Sequence, residues 1–447
     1  MQNKTKPKVV VIGAGFGGLR AVRGIAKHAG SVTLIDRTNH HTFQPLLYQV
    51  ATAGLSPGEI TAPIRWIVRG NDNIEVLLGT VRDFDLERKV VKLSDMEIKY
   101  DYLVVAAGAT HAYFGHDEWE PFAPGLKSVE DAIEIRRRVL LTFELAERRA
   151  ANGEGQMQLN FVVVGGGPTG VELAGTLAEI TRKVLAYEFR SIDPKRTRII
   201  LLEGGPRILP AFSEDLSHSA QRQLEKLGVE VHTSALVTKI APGAVYMGET
   251  RLPTAVTLWA AGVLASPLGK KLGAPVDRAG RVLVSPDLSV PGHPEIFVIG
   301  DLAALKDKNG KWLPGLAPVA MQEGTAVAKN IRCDLQGKSR RDFSYLDKGT
   351  LATIGRAAAV GQFPGGLHIS GYFAWLAWLF VHIFFLIGFR NRILVLIQWA
   401  WSYITFERGA RLITGNTQLP GWTELEKQQP APQLEPELTA TARRLER

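Results

Sequence analysis

A chain of 447 residues is too long for a single hydrophobic core and implies two domains with additions. A hydrophobic share of 45% fits a globular protein with some membrane-facing surface, and a net charge of +9 would suit an anionic membrane or a nucleic acid. No helix–turn–helix, zinc-finger or RNA-binding pattern accompanies that charge, so an anionic lipid membrane surface is expected as partner and nucleic acid is not. Cys333 is the sole cysteine, which excludes an intrachain disulfide and a redox-active dithiol.

Residues 1–8 are basic, and no apolar signal-type stretch follows them, so the chain is expected on the cytoplasmic side of the inner or cell membrane. Residues 9–18, VVVIGAGFGG, read as a β-branched strand running into a glycine turn and a helix. In such a turn one glycine makes the bend, one admits a pyrophosphate to the backbone, and one packs helix on strand. The phosphates then meet unpaired N–H groups at the helix N-terminus. Asp36 ends the next strand, SVTLID, where a carboxylate binds adenosine ribose hydroxyls. Residues 74–81 and 89–93 read as short antiparallel strands, residues 100–110 as an apolar strand ending in Gly and Thr, and 125–150 as a charged helix.

The signature then recurs as FVVVGGGPTG at 161–170, and Glu203 ends the strand RIILLE. The gap to that acid exceeds the usual ~20 residues, and residues 179–195 account for the surplus as a lengthened helix and a charged loop. Glu203 would repel a 2′-phosphate and so favours NADH over NADPH, a preference that nearby Arg207 could soften. Two dinucleotide signatures suggest a flavoprotein that moves electrons. Glu172, two residues after Gly170, is expected to orient the nicotinamide and to carry a proton, with burial raising its pKa. The bland alternative is an acid favoured by the helix dipole. His40, His41, His111 and His116 lack partners at ligand spacing, so no metal is expected.

The second unit ends on the strand-like TAVTLWAAG at 254–262. Residues 295–301, EIFVIGD, form a strand, and a helix follows from about Val319. No charged residue occurs from 357 to 389. Residues 371–389 would, at ~1.5 Å per residue, suffice to cross a bilayer core of about 30 Å. A second apolar run, 393–406, is too short to cross. Asn391, Gln398, Ser402 and Thr405 form one polar stripe there, which suits a helix lying in the interface. Tyr372, Trp375, Trp378, Trp399, Trp401 and Tyr403 suit a headgroup belt, and Arg390, Arg392, Arg408 and Arg411 would meet anionic lipid. Monotopic attachment through Trp375, Trp378 and Trp399 is expected, with a true span and a buried dimer core as alternatives.

The first glycine motif, AAGAT at 106–110, the second glycine motif with Val171-Glu172, and Ile299-Gly300-Asp301 together resemble the two-dinucleotide-domain flavoprotein reductases. FQPLLYQVATAG at 43–54, GFRNR at 388–392 and RGARLI at 408–413 narrow the resemblance to the type II NADH:quinone oxidoreductases, single-chain and non-proton-pumping. It covers about residues 8–415.

The resemblance implies an α/β fold of two Rossmann-like domains, for FAD and NADH, the second inserted in the first, plus a C-terminal apolar helical membrane-attachment region. The implied division is 7–120 and 291–345 for FAD, 121–290 for NADH with a linker helix, 346–420 for attachment, and 421–447 as a disordered tail. Noncovalent FAD would lie along Gly13, Ala14, Gly15, Phe16, Gly17, Gly18, Asp36, Arg37, Gln44, Val81, Ala107, Gly108, Asp301, Ala320 and Gln322. NADH would lie along Gly165, Gly167, Gly170, Glu172, Glu203, Ala261 and Gly262. A membrane quinone would meet Ala317, Pro318, Ala320, Gln322 and His382, with Pro318 standing where the family pattern carries Gln.

A homodimer is left open. The competing readings are a soluble NAD(P)H-dependent reductase of a small electron-transfer protein and a non-catalytic flavin redox sensor or scaffold. A sulfide:quinone reductase is excluded by the missing cysteine pair. A chain cut before Gly371 is expected to be soluble and to keep flavin reduction by NADH.

Overall fold

The computed structural model describes residues 7–405 and 409–428. Two parallel sheets organise them. In the first, the central strand Lys8–Ile12 lies between Ser31–Asp36 and Tyr102–Val105. Ile74–Leu78 extends one edge in parallel, so it is a Rossmann strand and not the antiparallel element expected there. His293–Val298 extends the other edge, followed by the antiparallel pair partner Ser289–Val290. The valines and isoleucines of Lys8–Ile12 are buried on both faces, as a central parallel strand requires. Val90–Lys92 does belong to an antiparallel three-stranded sheet, with Asp83–Asp85 and Glu97–Lys99.

The second sheet has the order Val229–His232, Arg198–Leu202, Asn160–Val164, Val256–Trp259, all parallel. The linker helix Val129–Ala151 leads into it and starts on a capping box of Ser128 and Asp131. The chain crosses between the two units on a short antiparallel pair, Ala109–His111 with Val263–Ala265.

Residues beyond that crossing return to the first unit earlier than the expected boundary at 290. Val282–Leu283 pairs with Ala303–Ala304, and Leu272 and Val282 share a core with Leu103 and Leu302. The reason is the apolar underside of the first sheet, which these side chains cover.

The C-terminal part begins with an antiparallel sheet, Thr350–Gly355, Ala358–Phe363 and Leu367–Ser370. It packs tightly on the second glycine-loop helix, Pro168–Glu179: a Cβ on Gly175 would stand 1.7 Å from the carbonyl oxygen of Ile354. Two helices follow, Tyr372–Phe385 and Phe389–Thr405, separated at Gly388 by a left-handed turn (φ +90°). The uncharged 371–389 run is therefore not one helix. No helix among the described residues is long and apolar enough to cross a membrane.

Trp375, Trp378 and Trp399, expected in lipid, are buried in the protein core beside Phe43, Tyr48 and Leu386. The outward side chains are Phe373, Leu376, Phe380, Phe384, Phe389, Ile393, Leu396, Ile397 and Trp401. Of the polar stripe of the second helix, Asn391 and Gln398 bond the protein body, while Ser402 and Thr405 donate to carbonyls of their own helix, those of Trp399 and Trp401. Asn391 donates to the carbonyl of Thr61 at 3.0 Å, Gln398 bonds Glu59, and Trp399 donates its indole N–H to Gln49 Oε1 at 2.7 Å. Buried polar groups must find partners, and here they find them on the nucleotide-binding body.

Arg411 pairs with Glu188 at 2.9 Å, away from a lipid role, and Arg408 and Tyr403 lie outside the described residues and side chains. The helix Trp422–Gln428 forms within the segment expected to be disordered, with Trp422 and Leu425 buried. The rest of that tail lies outside the described residues.

Candidate active site

The two glycine loops are built alike. Gly13 and Gly165 hold φ +97° and +107°, the left-handed turn out of the strand. A Cβ on Gly18 would stand 1.8 Å from Gly13 O, and one on Gly170 1.8 Å from Gly165 O, so only glycine lets each helix sit on its strand. At Gly15 and Gly167 nothing lies within 4 Å of the Cβ position: this is the open space that a pyrophosphate needs. Both loops lead directly into helices, Phe16–Ile25 and Pro168–Glu179, whose first amides face the opening.

Each loop is braced by the acid at the end of the neighbouring strand. Asp36 accepts from Ala14 N at 2.6 Å, and from the amide and hydroxyl of Thr38 at 2.7 and 2.8 Å. Glu203 accepts from Gly166 N and Gly205 N, both at 2.6 Å. Arg207 is not beside a nucleotide position: its guanidinium donates to the carbonyls of Phe212 and Pro210.

One cleft of about 1580 Å³ joins the loops. Gly13, Ala14, Gly15, Phe16, Gly17, Asp36, Arg37, Gln44, Val81, Ala107, Gly108, Asp301, Ala320 and Gln322 line it from the first unit. Gly165, Gly167, Glu172, Glu203, Ala261 and Gly262 line it from the second. Gly18 and Gly170 lie beneath the surface as packing residues. The cleft continues past Ala317 and Pro318 to Val381, His382 and Phe385 of the first C-terminal helix.

Several chemistries meet there. Burial pushes the Glu172 carboxyl up to about 8, with the Thr353 backbone pulling the other way, so it is a neutral acid near pH 7. His382 is held down to about 4 by burial; its Nδ1–H donates to Trp378 O at 2.7 Å, which leaves Nε2 as an acceptor. Its ring stacks on Trp378 at 4.3 Å and meets Phe43 edge-on at 6.2 Å. The cleft helix Ala317–Leu335 starts after an extended Leu316 with Pro318 in its first turn, where the missing N–H costs nothing. Gln322 lines the cleft, and its amide pairs reciprocally with the backbone of Leu346, at 3.0 Å each way.

Sequence reasoning missed two charged groups here. Lys127 Nζ donates to Asp301 Oδ2 at 3.3 Å, from a position just before the linker-helix cap that carries no pattern of its own. Glu323, 2% exposed, accepts from Gly300 N at 2.6 Å; it follows Gln322 directly in sequence, but its direction could not be read without the fold. His41 is buried against Phe16, with Nδ1 bonded to Ala14 O at 2.8 Å.

Paired sheets, twin glycine cradles and a shared cleft define the pyridine nucleotide-disulphide oxidoreductases, whose family model matches residues 7–324. The NDH2 C-terminal domain model matches residues 348–408. The chain is 46% identical over 425 residues to the type II NADH:quinone oxidoreductase NdhA of Mycobacterium tuberculosis, covering 91% of this chain and 89% of that one. It is 43% identical to Ndh of the same organism, over 92% and 91%. The solved structure of NDH2 from Plasmodium falciparum in complex with NADH shares the fold, at a TM-score of 0.81 over 92% of this chain and 100% of that one, with 23% identity. The chain belongs to the type II NADH:quinone oxidoreductases.

Proposed function

We propose that this protein carries electrons from NADH to a membrane quinone, with FAD held noncovalently in the first cradle and without proton pumping. The observation that carries the reading is the continuity of one cleft from both glycine loops to His382 and Phe385 on the apolar C-terminal helix. When bound, the flavin supplies the hydride-accepting and electron-passing chemistry.

The chain's own groups do the rest. The first amides of Phe16–Ile25 and Pro168–Glu179 bind the two pyrophosphates, and Asp36 and Glu203 take the adenosine riboses. The N-terminal end of Ala317–Leu335 would place partial positive charge at the cleft and favour an anionic flavin; the Ala320 amide itself is spent on Leu316 O, at 3.1 Å. Glu172 orients the nicotinamide and, neutral near pH 7, holds a proton for the acceptor. His382 Nε2, an acceptor, takes a hydrogen bond from a hydroxyl of the quinol product, the quinone itself offering only carbonyl acceptors, and Ala317 and Pro318 shape the same end.

The exposed apolar face from Phe373 to Trp401 attaches the enzyme to one leaflet. Exposed Arg390 flanks that face. Arg69 stacks on Trp66 at 5.3 Å, beside Gly388. Such a basic rim suits the anionic cytoplasmic surface. A second copy of the chain is the other occupant such a face admits. NADH oxidation by purified protein, with and without a short-chain quinone, tests the function: quinone-dependent turnover supports it, whereas flavin reduction without quinone turnover would favour a sensor.

A further inference from the structure

Three backbone segments line the first-cradle side of the cleft: the glycine loop at 13–18, the Gly300–Leu302 turn, and the N-terminus of the helix Ala317–Leu335. That helix lies against the first glycine-loop helix with almost no side chain between them. A Cβ on Gly324 would stand 2.3 Å from Gly17 O, and one on Gly17 3.0 Å from Ala320 O. Main chain therefore fixes the helix to the loop. The turn is the third segment: Gly300 has φ +73°, and the nearest atom to its Cβ position is Ala320 Cβ, at 3.5 Å.

We propose that Glu323 is a positioning residue for the flavin site, tying the Gly300 amide, and with it Asp301, to the helix that also carries Ala320. This rests on FAD occupying the first cradle. Glu323 is one turn beyond Ala320 on the same helix, does not line the cleft, and is buried behind it. Its Oε2 takes the Gly300 N–H at 2.6 Å. Burial raises its pKa to about 7, with the charge of Asp301 adding to the shift. What the geometry shows is reach: the acceptor oxygen spans from the helix to the Gly300 amide. On the far side Lys127 holds Asp301 Oδ2 at 3.3 Å, so the Asp301 carboxylate is set between a cation from the linker and a backbone tether from Glu323.

Glu323→Gln and Glu323→Asp separate reach from charge. Gln keeps the length and an acceptor oxygen; Asp keeps the charge and retracts the acceptor by one methylene. In the full-length holoenzyme, FAD release is read by flavin fluorescence and flavin geometry by visible circular dichroism at saturating FAD. Glu323→Gln is expected to hold FAD within about threefold of wild type with an unchanged flavin spectrum, and Glu323→Asp to release it about tenfold more readily with an altered spectrum. The reverse order, or two variants indistinguishable from wild type, overturns the proposal. Wild-type protein that binds no flavin would instead defeat the functional reading on which it rests.

Discussion

The carboxylate of Glu203 accepts a hydrogen bond from the amide of Gly166 at 2.6 Å, across 37 residues of sequence. Its other oxygen holds Gly205 N at the same distance. An anion is thus built into the rim of the second cradle, with Arg207 turned away to Phe212 and Pro210. We expect NADH to be preferred over NADPH. Glu203→Gln keeps an acceptor and removes the charge, so the ratio of kcat/KM values should narrow by roughly tenfold, about 1.4 kcal/mol of relieved repulsion. A ratio that does not move would remove Glu203 as the discriminating group.

Glu172 should govern the alkaline limb of turnover. Its pKa in the folded chain is raised to about 8, so the proton is held below that pH and lost above it. The same shift bears on stability: the unfolded chain gives up this proton near pH 4.5 and the folded chain near 8, so stability falls as pH rises from about 4.5 and levels off above about 8. Quinone-dependent kcat should fall above about pH 8, and Glu172→Gln should abolish that limb while lowering kcat by about 10²-fold with FAD retained. A wild-type limb preserved in the variant would return Glu172 to the helix-dipole role.

The two cradles can be broken separately. Gly18→Ala drives a Cβ against Gly13 O and should cost about 3 kcal/mol at the first cradle, releasing FAD. Gly170→Ala does the same against Gly165 O, and should leave yellow protein that NADH reduces poorly. Absorbance after gel filtration reads the first, and anaerobic bleaching the second. Loss of FAD from Gly170→Ala alone would contradict the assignment of the cradles.

The membrane face is tested by surface substitutions and not by truncation. Cutting before Gly371 would strip Trp375, Trp378 and Trp399 out of the core they share with Phe43 and Tyr48, so the shortened chain should aggregate. Phe380 and Phe384, 70% and 57% exposed, leave no such hole. Changing both to Asp should weaken liposome binding by roughly a hundredfold or more, with reduction of flavin by NADH unchanged. Unaltered liposome binding, with loss of a dimer on sizing, would show that this face meets a second copy instead.

His382→Phe keeps the stack on Trp378 and removes the Nε2 acceptor. Inhibition by the quinol product, whose hydroxyl Nε2 accepts, should weaken about fivefold, the worth of one ordinary hydrogen bond, while the KM for quinone and the NADH kinetics should hold. Equal values for both variants of the enzyme would leave His382 as packing.

Strand, glycine turn and acid were legible in the sequence because each local rule agreed with the fold. Gly13, Gly15 and Gly18 have three different reasons to be glycine, and all three are local. The C-terminal region read less truly. Its polar stripe was visible, but periodicity gives a face and not what that face meets. Asn391 and Gln398 turned toward the protein because Thr61 and Glu59 offered partners, which left Phe380 and Ile397 outside. Lys127 meets Asp301 across 174 residues, farther than any spacing rule reaches, and Glu323, 23 residues from Gly300, sits at a spacing that marks no motif.

Electron transfer from NADH to quinone should run through one flavin in one cleft. Anaerobic stopped-flow mixing tests it most directly: purified holoenzyme with NADH, then with quinone in a second mix. The flavin absorbance should bleach with NADH and recover fully with quinone, both fast enough to account for steady-state turnover. A flavin that does not bleach, or that recovers with quinone far more slowly than the enzyme turns over, would contradict the account.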